Sequence, residues 1–281
     1  MKTILVPTDF SPNANKALNY AAELAILSRA TIIIIHITDL THAAMNENVI
    51  LPASIDKDII HEANRELKVL AGITKDITGG LVNYQLYNGF VPDAIQYAAK
   101  ENKADLIVMG TLGNAGIREK LFGSITAKVI SHADIPVLAV PLLYEWTPAK
   151  KILLAINNFK ESLGVLEPLT WMASLLKATV QISIFTNENE ATAVDLLQNK
   201  RDIELFCRNL KQEQPELNIE PTPIYGQNFE EAIKSHIAKH HSDILVMITH
   251  KRNFIVSIFN KSMTKKMSYH TDIPLLSIPV H

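Results

Sequence analysis

Short apolar runs alternate along the chain with longer segments that carry apolar residues at helical spacing. The run Thr31–Ile37 is β-branched almost throughout, which is typical of a parallel strand covered on both faces. The segment Pro12–Ser28 places alanines and leucines on one helical face, behind Ser11 as the predicted N-cap. In the first half this alternation predicts the order β-α-β-α-β-α-β-α-β. Helical crossovers between the strands imply an α/β fold with a doubly wound parallel sheet.

The other elements predicted for this half follow the same alternation. A second helix is predicted over about Ser54–Lys75, a third opens at Pro92, and a fourth covers Ser124–His132. The remaining predicted strands are Ile4–Pro7, Leu81–Tyr87, Asp105–Met109 and Val137–Val140. Residues 39 to 53 are polar and mixed, and we interpret them as a loop long enough to be a lid or to be disordered.

The second half repeats the pattern of the first. Ile4–Val6 matches Ile152–Leu154 at an offset of 148, and Asp105–Met109 matches Asp243–Met247 at an offset of 138. The second copy is therefore ten residues shorter between these two matches. A repeat of this length indicates duplicated domains rather than a solenoid.

A chain of 281 residues is comfortable for two such domains, each able to bury a core. We predict tandem, Rossmann-like domains with α/β/α layers over residues 1–145 and 149–281, joined by a linker at roughly Leu142–Lys150. Their last strands, Val137–Val140 and Leu275–Ile278, are the edges through which we expect the two domains to pair. A homodimer of the whole chain is a further alternative that the sequence leaves open.

Composition gives an ordinary globular profile. Apolar residues make up 47% and charged residues 20%, with a formal net charge of −2, so a membrane or nucleic-acid partner is not expected. The single cysteine, Cys207, excludes an internal disulfide and suits a reducing compartment. The first apolar run is too short for a signal peptide, and no segment approaches the roughly 20 residues of a membrane span. We expect a cytoplasmic protein.

The clearest candidate for chemistry follows the strand Asp105–Met109. Gly110, Gly113 and Gly123 precede Ser124 with the spacing G-x2-G-x9-G-S, and Ser124 opens a predicted helix. Backbone N–H groups at a helix N-terminus lack intrahelical partners and carry the positive end of the helix dipole, so a phosphate suits this position. Glycines let the backbone approach a ligand closely, although glycines alone can also mark tight turns.

This spacing resembles the ATP-binding loop of the universal stress protein family, and with its repeat the chain resembles a tandem member of that family. The resemblance implies that the loop amides and the Ser124 hydroxyl bind the phosphates, between apolar walls at Met109 and Ile125. It implies that Asp9 binds the ribose or adenine and that Pro7 and Thr8 line the adenine pocket. It also implies that the backbone of Ile37 pairs with the base. The residues it assigns to nucleotide binding are Pro7, Thr8, Asp9, Ile37, Met109, Gly110, Gly113, Gly123, Ser124 and Ile125.

Strand order supports bringing these residues together. In an open parallel sheet, ligands bind outside the carboxyl ends of the strands where the strand order reverses. Asp9 follows the first strand, Ile37 ends the second and Gly110 follows the fourth, so they can meet at one crevice. Asp9 also has an alternative role as a helix cap, but Ser11 already fills it. We interpret His36 as a buried strand residue rather than a ligand contact.

Two features that are absent from the sequence of the first half limit the reactions it is expected to catalyse. It has no G-x4-G-K-S/T motif, and no evident second carboxylate to hold a metal or orient water. Arg118 and Lys120 lie between the glycines and could reach the phosphates or remain solvated. We expect ATP, ADP or AMP to bind, with or without Mg²⁺, and to be hydrolysed slowly or not at all.

The second half departs from the pattern at the site. The three loop glycines are replaced by Ile248, Lys251 and Lys261, and Asp9 is replaced by Asn157. The loop serine is retained, as Ser262. A β-branched residue disfavours positive φ, so we expect the second copy not to bind ATP in this way.

Two further features favour simple interpretations. The basic segment over residues 250–266 is better explained as a solvated or interface-facing surface than as a site for an anionic partner. His236, His240 and His241 offer i, i+4 spacing for a metal, but no third ligand is evident, so we interpret them as surface histidines.

The leading hypothesis is a stress-linked regulator that binds an adenine nucleotide in its first domain and acts on an unknown protein partner. One alternative is a slow, Mg²⁺-dependent ATPase or nucleotide-transfer enzyme. Another is an interaction scaffold that binds no nucleotide.

Overall fold

Within the residues described, the protein forms one sheet of eleven strands with helices on both faces. The computed structural model describes residues 1–38, 53–111, 123–156, 163–250 and 272–280. The strands are β1 Thr3–Pro7, β2 Thr31–Thr38, β3 Val82–Asn88, β4 Leu106–Gly110, β5 Val137–Val140, β6 Lys151–Ile156, β7 Thr179–Asn187, β8 Ile219–Pro221, β9 Ile224–Gly226, β10 Ile244–His250 and β11 Leu275–Val280. The helices are α1 Pro12–Ser28, α2 Ala53–Thr78, α3 Val91–Glu101, α4 Ser124–His132, α5 Glu167–Leu176, α6 Ala193–Glu213 and α7 Phe229–His240.

The predicted α/β fold is confirmed. Helices α1 and α4 have the predicted bounds, whereas α2 ends three residues later than expected, at Thr78. Its end is set by Gly79, whose φ of +58° terminates the helix. Apart from Ala53, the predicted lid lies outside the described residues. In the part of the chain that the structure describes, no helix is long and apolar enough to cross a membrane.

The helices of the first half change from one face of the sheet to the other between β1 and β4. The strands lie in the order β3-β2-β1-β4-β5 and are all parallel. Helices α1 and α2 bury residues such as Leu24 and Leu67 against one face. Helices α3 and α4 bury Ile95 and Val129 against the other. A crevice forms at the carboxyl ends of the strands where the order reverses, which here are β1 and β4.

Strand registers confirm the internal repeat. Ile4 pairs with Leu106 in the first half, and at offsets of 148 and 138 their counterparts Ile152 and Ile244 also pair. At the other end of β4, Gly110 pairs with Val140, just as Ile248 pairs with Ile278. The two offsets read from the sequence therefore describe equivalent positions in space.

The pairing expected between the last strands of the two halves is confirmed. Strands β5 and β11 are antiparallel, with Leu138 opposite Leu276 and both side chains fully buried. Because strands within each half are parallel, this join turns the carboxyl ends of β6, β7 and β10 toward the opposite edge of the sheet. The linker packs on α1, where the rings of Trp146 and Tyr20 meet edge to face at 4.6 Å.

In each half, an aspartate carboxylate holds the starts of two neighbouring strands together. Asp105 accepts hydrogen bonds from the backbone N–H groups of Lys2 and Thr3, at 2.6 and 2.9 Å. Asp243 repeats this with Lys150 and Lys151, at 2.7 and 2.9 Å. Each aspartate therefore ties the residue before one strand to the start of its neighbour.

Substitution of Asp105 or Asp243 should lower the stability of the protein by a similar amount. We expect Asp105→Ala and Asp243→Ala each to lower the free energy of unfolding by about 1–2 kcal/mol, because two backbone donors lose a charged acceptor. Urea denaturation measures the change. Asp58→Ala, on the exposed surface of α2, is the control and should stay within about 0.5 kcal/mol of the parent. Equal stability of all three variants would show that the hydrogen bonds of Asp105 and Asp243 contribute nothing measurable to the free energy of unfolding.

Candidate functional site

The turn after β1 carries Asp9 and is held by its own side chains. The N–H of Thr8 continues the ladder to Ile35 O at 2.8 Å. The N–H of Phe10 donates to Thr8 Oγ1 at 3.0 Å, and the N–H of Ser11 donates to Asp9 Oδ1 at 3.1 Å. Phe10 takes a left-handed backbone conformation with a φ of +61°. The half-buried Asp9 side chain is thus fixed at the crevice by the turn it belongs to.

His36 stabilises this turn from β2. Its Nδ1 lies 2.8 Å from Thr8 O, and because a carbonyl only accepts, Nδ1 carries the proton. Its ring stacks on Phe10 with centroids 4.5 Å apart. The prediction of a buried strand residue is therefore wrong in burial, since His36 is half-buried, and sequence reasoning missed its contact with the turn.

Gly110 lies where α1 packs tightly against β4. A Cβ at this position would lie 2.8 Å from Asn13 Cγ and 3.0 Å from Asn13 O. The packing of α1 thus requires glycine here, a reason that the sequence motif did not reveal. Of the two expected apolar walls, Met109 is buried at 5% exposure, whereas Ile125 is 40% exposed; Ile37, whose backbone is expected to pair with the base, is 8% exposed.

Helix α4 begins at the same edge of the sheet. Its N-cap is Gly123, which supplies no side-chain hydrogen bond to the first turn. The Gly123 N–H donates to Thr111 O at 2.7 Å, and the Thr126 hydroxyl donates to Gly110 O at 2.9 Å. In this structure the Gly123 amide is thus engaged within the chain rather than turned to a ligand. The N–H groups of the following residues have no intrahelical acceptor, and Ser124 is exposed.

The strand order brings most of the predicted site residues to one edge. Strand β1 lies between β2 and β4, so Thr8 just after β1, Ile37 near the end of β2 and Gly110 at the end of β4 lie at one edge. Pro7 ends β1 and is buried, whereas Ile125, in the first turn of α4, is 40% exposed. The loop residues Gly113, Arg118 and Lys120 lie outside the described residues.

The second half differs at the corresponding place. At an offset of 148, the end of α5 at Leu176 corresponds to the end of α1 at Ser28. The start does not correspond, because a 3₁₀ helix, Leu163–Leu166, precedes the regular helix. Ile248 occupies the position of Gly110, where a side chain would block the close approach that α1 makes. Asn157, Lys251, Lys261 and Ser262 lie outside the described residues.

The interpretation of the three histidines as surface residues is wrong for His236. Its side chain is only 8% exposed, and its ring stacks on His240 with centroids 4.2 Å apart. Burial lowers the pKa of His236 to about 4, and His240 and Lys239 contribute in the same direction. Among the residues described, no group of three or more His, Cys, Asp or Glu side chains is placed to hold a metal ion.

Comparison with known proteins supports the fold. The model of the universal stress protein family matches residues 1–141. Universal stress protein MJ0531 of Methanocaldococcus jannaschii is 32% identical over 144 residues, which are 50% of this chain and 81% of that protein. Universal stress protein YxiE of Bacillus subtilis is 32% identical over 143 residues, which are 49% of this chain and 97% of that protein.

Among solved structures, a universal stress protein from Archaeoglobus fulgidus has a TM-score of 0.73 at 15% identity. The match covers 99% of this chain and 96% of that one, so the likeness in fold extends over both halves. The family match in the first half and the whole-chain likeness in fold agree with the internal repeat. The chain belongs to the universal stress protein family.

Proposed function

We propose that the first half binds an adenine nucleotide, ATP before ADP or AMP, and that the chain is a cytoplasmic stress-response regulator. One observation carries the proposal: the Asp9 turn and the N-terminus of α4 lie at the same edge of the sheet, at its switch point. Family membership and the glycine spacing support it.

The adenosine end of the ligand would lie at the Asp9 turn. A carboxylate has several acceptor positions, which suit the two hydroxyl donors of a ribose. Asp9 Oδ1 already accepts from the Ser11 N–H, so the carboxylate keeps one orientation without the ligand. Contacts from Thr8 and His36 stabilise the same turn, which lowers the ordering cost of binding.

The phosphate end would lie at α4. A helix without a side-chain cap offers its first N–H groups and its dipole to an anion, and the exposed Ser124 adds a hydroxyl. The hydrogen bond from Thr126 to Gly110 fixes the start of α4 against the end of β4. We propose that Gly113 completes the loop around the phosphates.

Binding with slow hydrolysis or none is the chemistry we propose. The chain lacks the G-x4-G-K-S/T motif whose lysine bridges the phosphates in P-loop enzymes. Occupancy of the site, rather than turnover, would then be the signal that a protein partner reads.

The test begins with protein purified without added nucleotide. After denaturation, mass spectrometry should identify about one adenine nucleotide per chain, or calorimetric titration with ATP and Mg²⁺ should show one site. Asp9→Ala and Gly123→Val should each weaken binding at least about tenfold, the equivalent of 1.4 kcal/mol. The control is Ser262→Ala, at the retained serine of the second copy, which should leave binding unchanged.

Each outcome decides between the candidate functions. If no nucleotide is released or bound, the proposal fails and the scaffold alternative is favoured. If both variants bind nucleotide as the parent does, the nucleotide lies elsewhere and the proposed site is refuted. Mg²⁺-dependent release of ADP that Gly123→Val abolishes would instead establish an enzyme.

A further inference from the structure

The cores of the two halves differ at four equivalent positions on one face of the sheet. In the first half these positions belong to one buried apolar cluster and are Ile33, Ile35, Ala98 and Ala104. Their counterparts in the second half are Gln181, Ser183, His236 and Ser242. The four polar residues are nonetheless buried, with exposures of 3%, 1%, 8% and 3%. A polar layer has thus replaced an apolar one inside the second half.

Alternation along β7 places this layer beneath α7. Val180, Ile182 and Ile184 pack in the cluster that also contains α5 and α6 residues. Gln181 and Ser183 therefore point to the opposite face, where α7 contributes Ile233 and Ile237 to the core. Ser183 and His236, the counterparts of Ile35 and Ala98, thus both belong to the layer between β7 and α7.

Only part of the layer satisfies its own hydrogen bonds. The Ser242 hydroxyl donates to Gln181 Oε1 at 3.1 Å. Ser183 Oγ and His236 Nε2 are buried and have no hydrogen-bond partner among the described residues. Buried polar atoms in native proteins almost always have a protein or water partner, so these two atoms require one.

Strand β9 is the main contact of α7 at this edge of the sheet. The helix lies closest to β9, where a Cβ on Gly226 would meet the Ala232 Cβ at 3.0 Å. The edge of the sheet is also interrupted beside Ser183, because β8 pairs with β7 only as far as Ile182 and β9 begins opposite Phe185. In the first half β3 runs past β2 without a break. The polar layer therefore lies beside a break in the pairing at the edge of the sheet.

We propose that the second half contains a buried hydration site in which one water molecule bridges Ser183 Oγ and His236 Nε2. A hydroxyl and a neutral imidazole nitrogen can each donate or accept, and water has two donors and two acceptors to match them. An apolar molecule at the same place would leave both polar atoms without a hydrogen bond. The site is independent of nucleotide binding, since it lies in the other half of the chain.

Oxygen-17 magnetic relaxation dispersion on the full chain counts long-lived internal waters and tests this site. Ser183→Ala should reduce the count by one and leave the circular dichroism spectrum unchanged. Ser277→Ala is the matched control: Ser277 is equally buried at 1% exposure, but its hydroxyl pairs with Thr249 at 3.1 Å, so the count should not change. An unchanged count in Ser183→Ala would overturn the proposal.

A high-resolution crystal structure of the unmodified chain provides a second test that does not depend on a variant folding. It should show a water within about 3 Å of both Ser183 Oγ and His236 Nε2. Direct hydrogen bonds from these atoms to protein groups, or a water on only one of them, would refute the bridge.

Discussion

Replacing Gly110 with alanine should lower the free energy of unfolding by about 1–3 kcal/mol and weaken nucleotide binding at the same time. The added methyl group would lie 3.0 Å from the backbone oxygen of Asn13, and a helix backbone cannot swing aside as the end of a flexible side chain can. The backbone of α1 at Asn13 must therefore shift away from β4 by a few tenths of an ångström. The Asp9 turn leads directly into α1 and moves with it. Urea denaturation and ATP titration of the same variant measure both effects.

The chain offers a matched control in Gly72, an exposed glycine inside α2. A Cβ there would meet nothing within 4 Å, so Gly72→Ala should raise stability by up to about 1 kcal/mol through better helix propensity. Nucleotide affinity should not change. If Gly110→Ala were as stable as the parent, the contact between α1 and β4 would be looser than described, and glycine would be needed there only for the ligand.

Acidification should destabilise the protein through His236. Its pKa is about 4 in the folded chain, below the ordinary value of 6.5, because burial disfavours the charged ring. Below pH 6.5 the unfolded chain therefore binds a proton that the folded chain resists. The stabilisation present at pH 7 is lost as the pH falls from 6.5 toward 4, by roughly 3 kcal/mol in total. Unfolding free energies measured at a series of pH values report this slope.

The variant His236→Gln should flatten the profile between pH 6.5 and 4, because the residue that titrates is gone. His132 is exposed on α4, and His132→Gln controls for the loss of one imidazole from the chain. A steep acid transition that survives in His236→Gln would assign the effect to other groups.

The elements of the fold were predictable because strands buried on both faces form continuous apolar runs. Helices α1 and α4 could be delimited to the residue, since Ser11 caps one and Gly123 precedes the other. The contact between Gly110 and Asn13 could not be predicted. It joins residues far apart in the chain, and the glycine already had an explanation in the loop motif.

His236 was misjudged because its neighbours in sequence are polar, with Lys239, His240 and His241 close by. Aligning the two halves gives the missing signal, because the counterpart of His236 is Ala98, a core residue. The contact between His36 and Thr8 is a different case. It depends on the left-handed backbone conformation of Phe10, and nothing in the residue pattern predicts a positive φ there.

The antiparallel pairing of β5 and β11 also affects how the sequences of the two halves can differ. In a symmetric dimer of identical subunits, every substitution appears on both sides of the interface and in both binding sites. Here the two sides are separate stretches of one chain, fixed at one-to-one stoichiometry whatever the protein concentration. A mutation in one half is not copied into the other. The two halves can therefore differ at equivalent positions, as they do where Ile248 stands in place of Gly110.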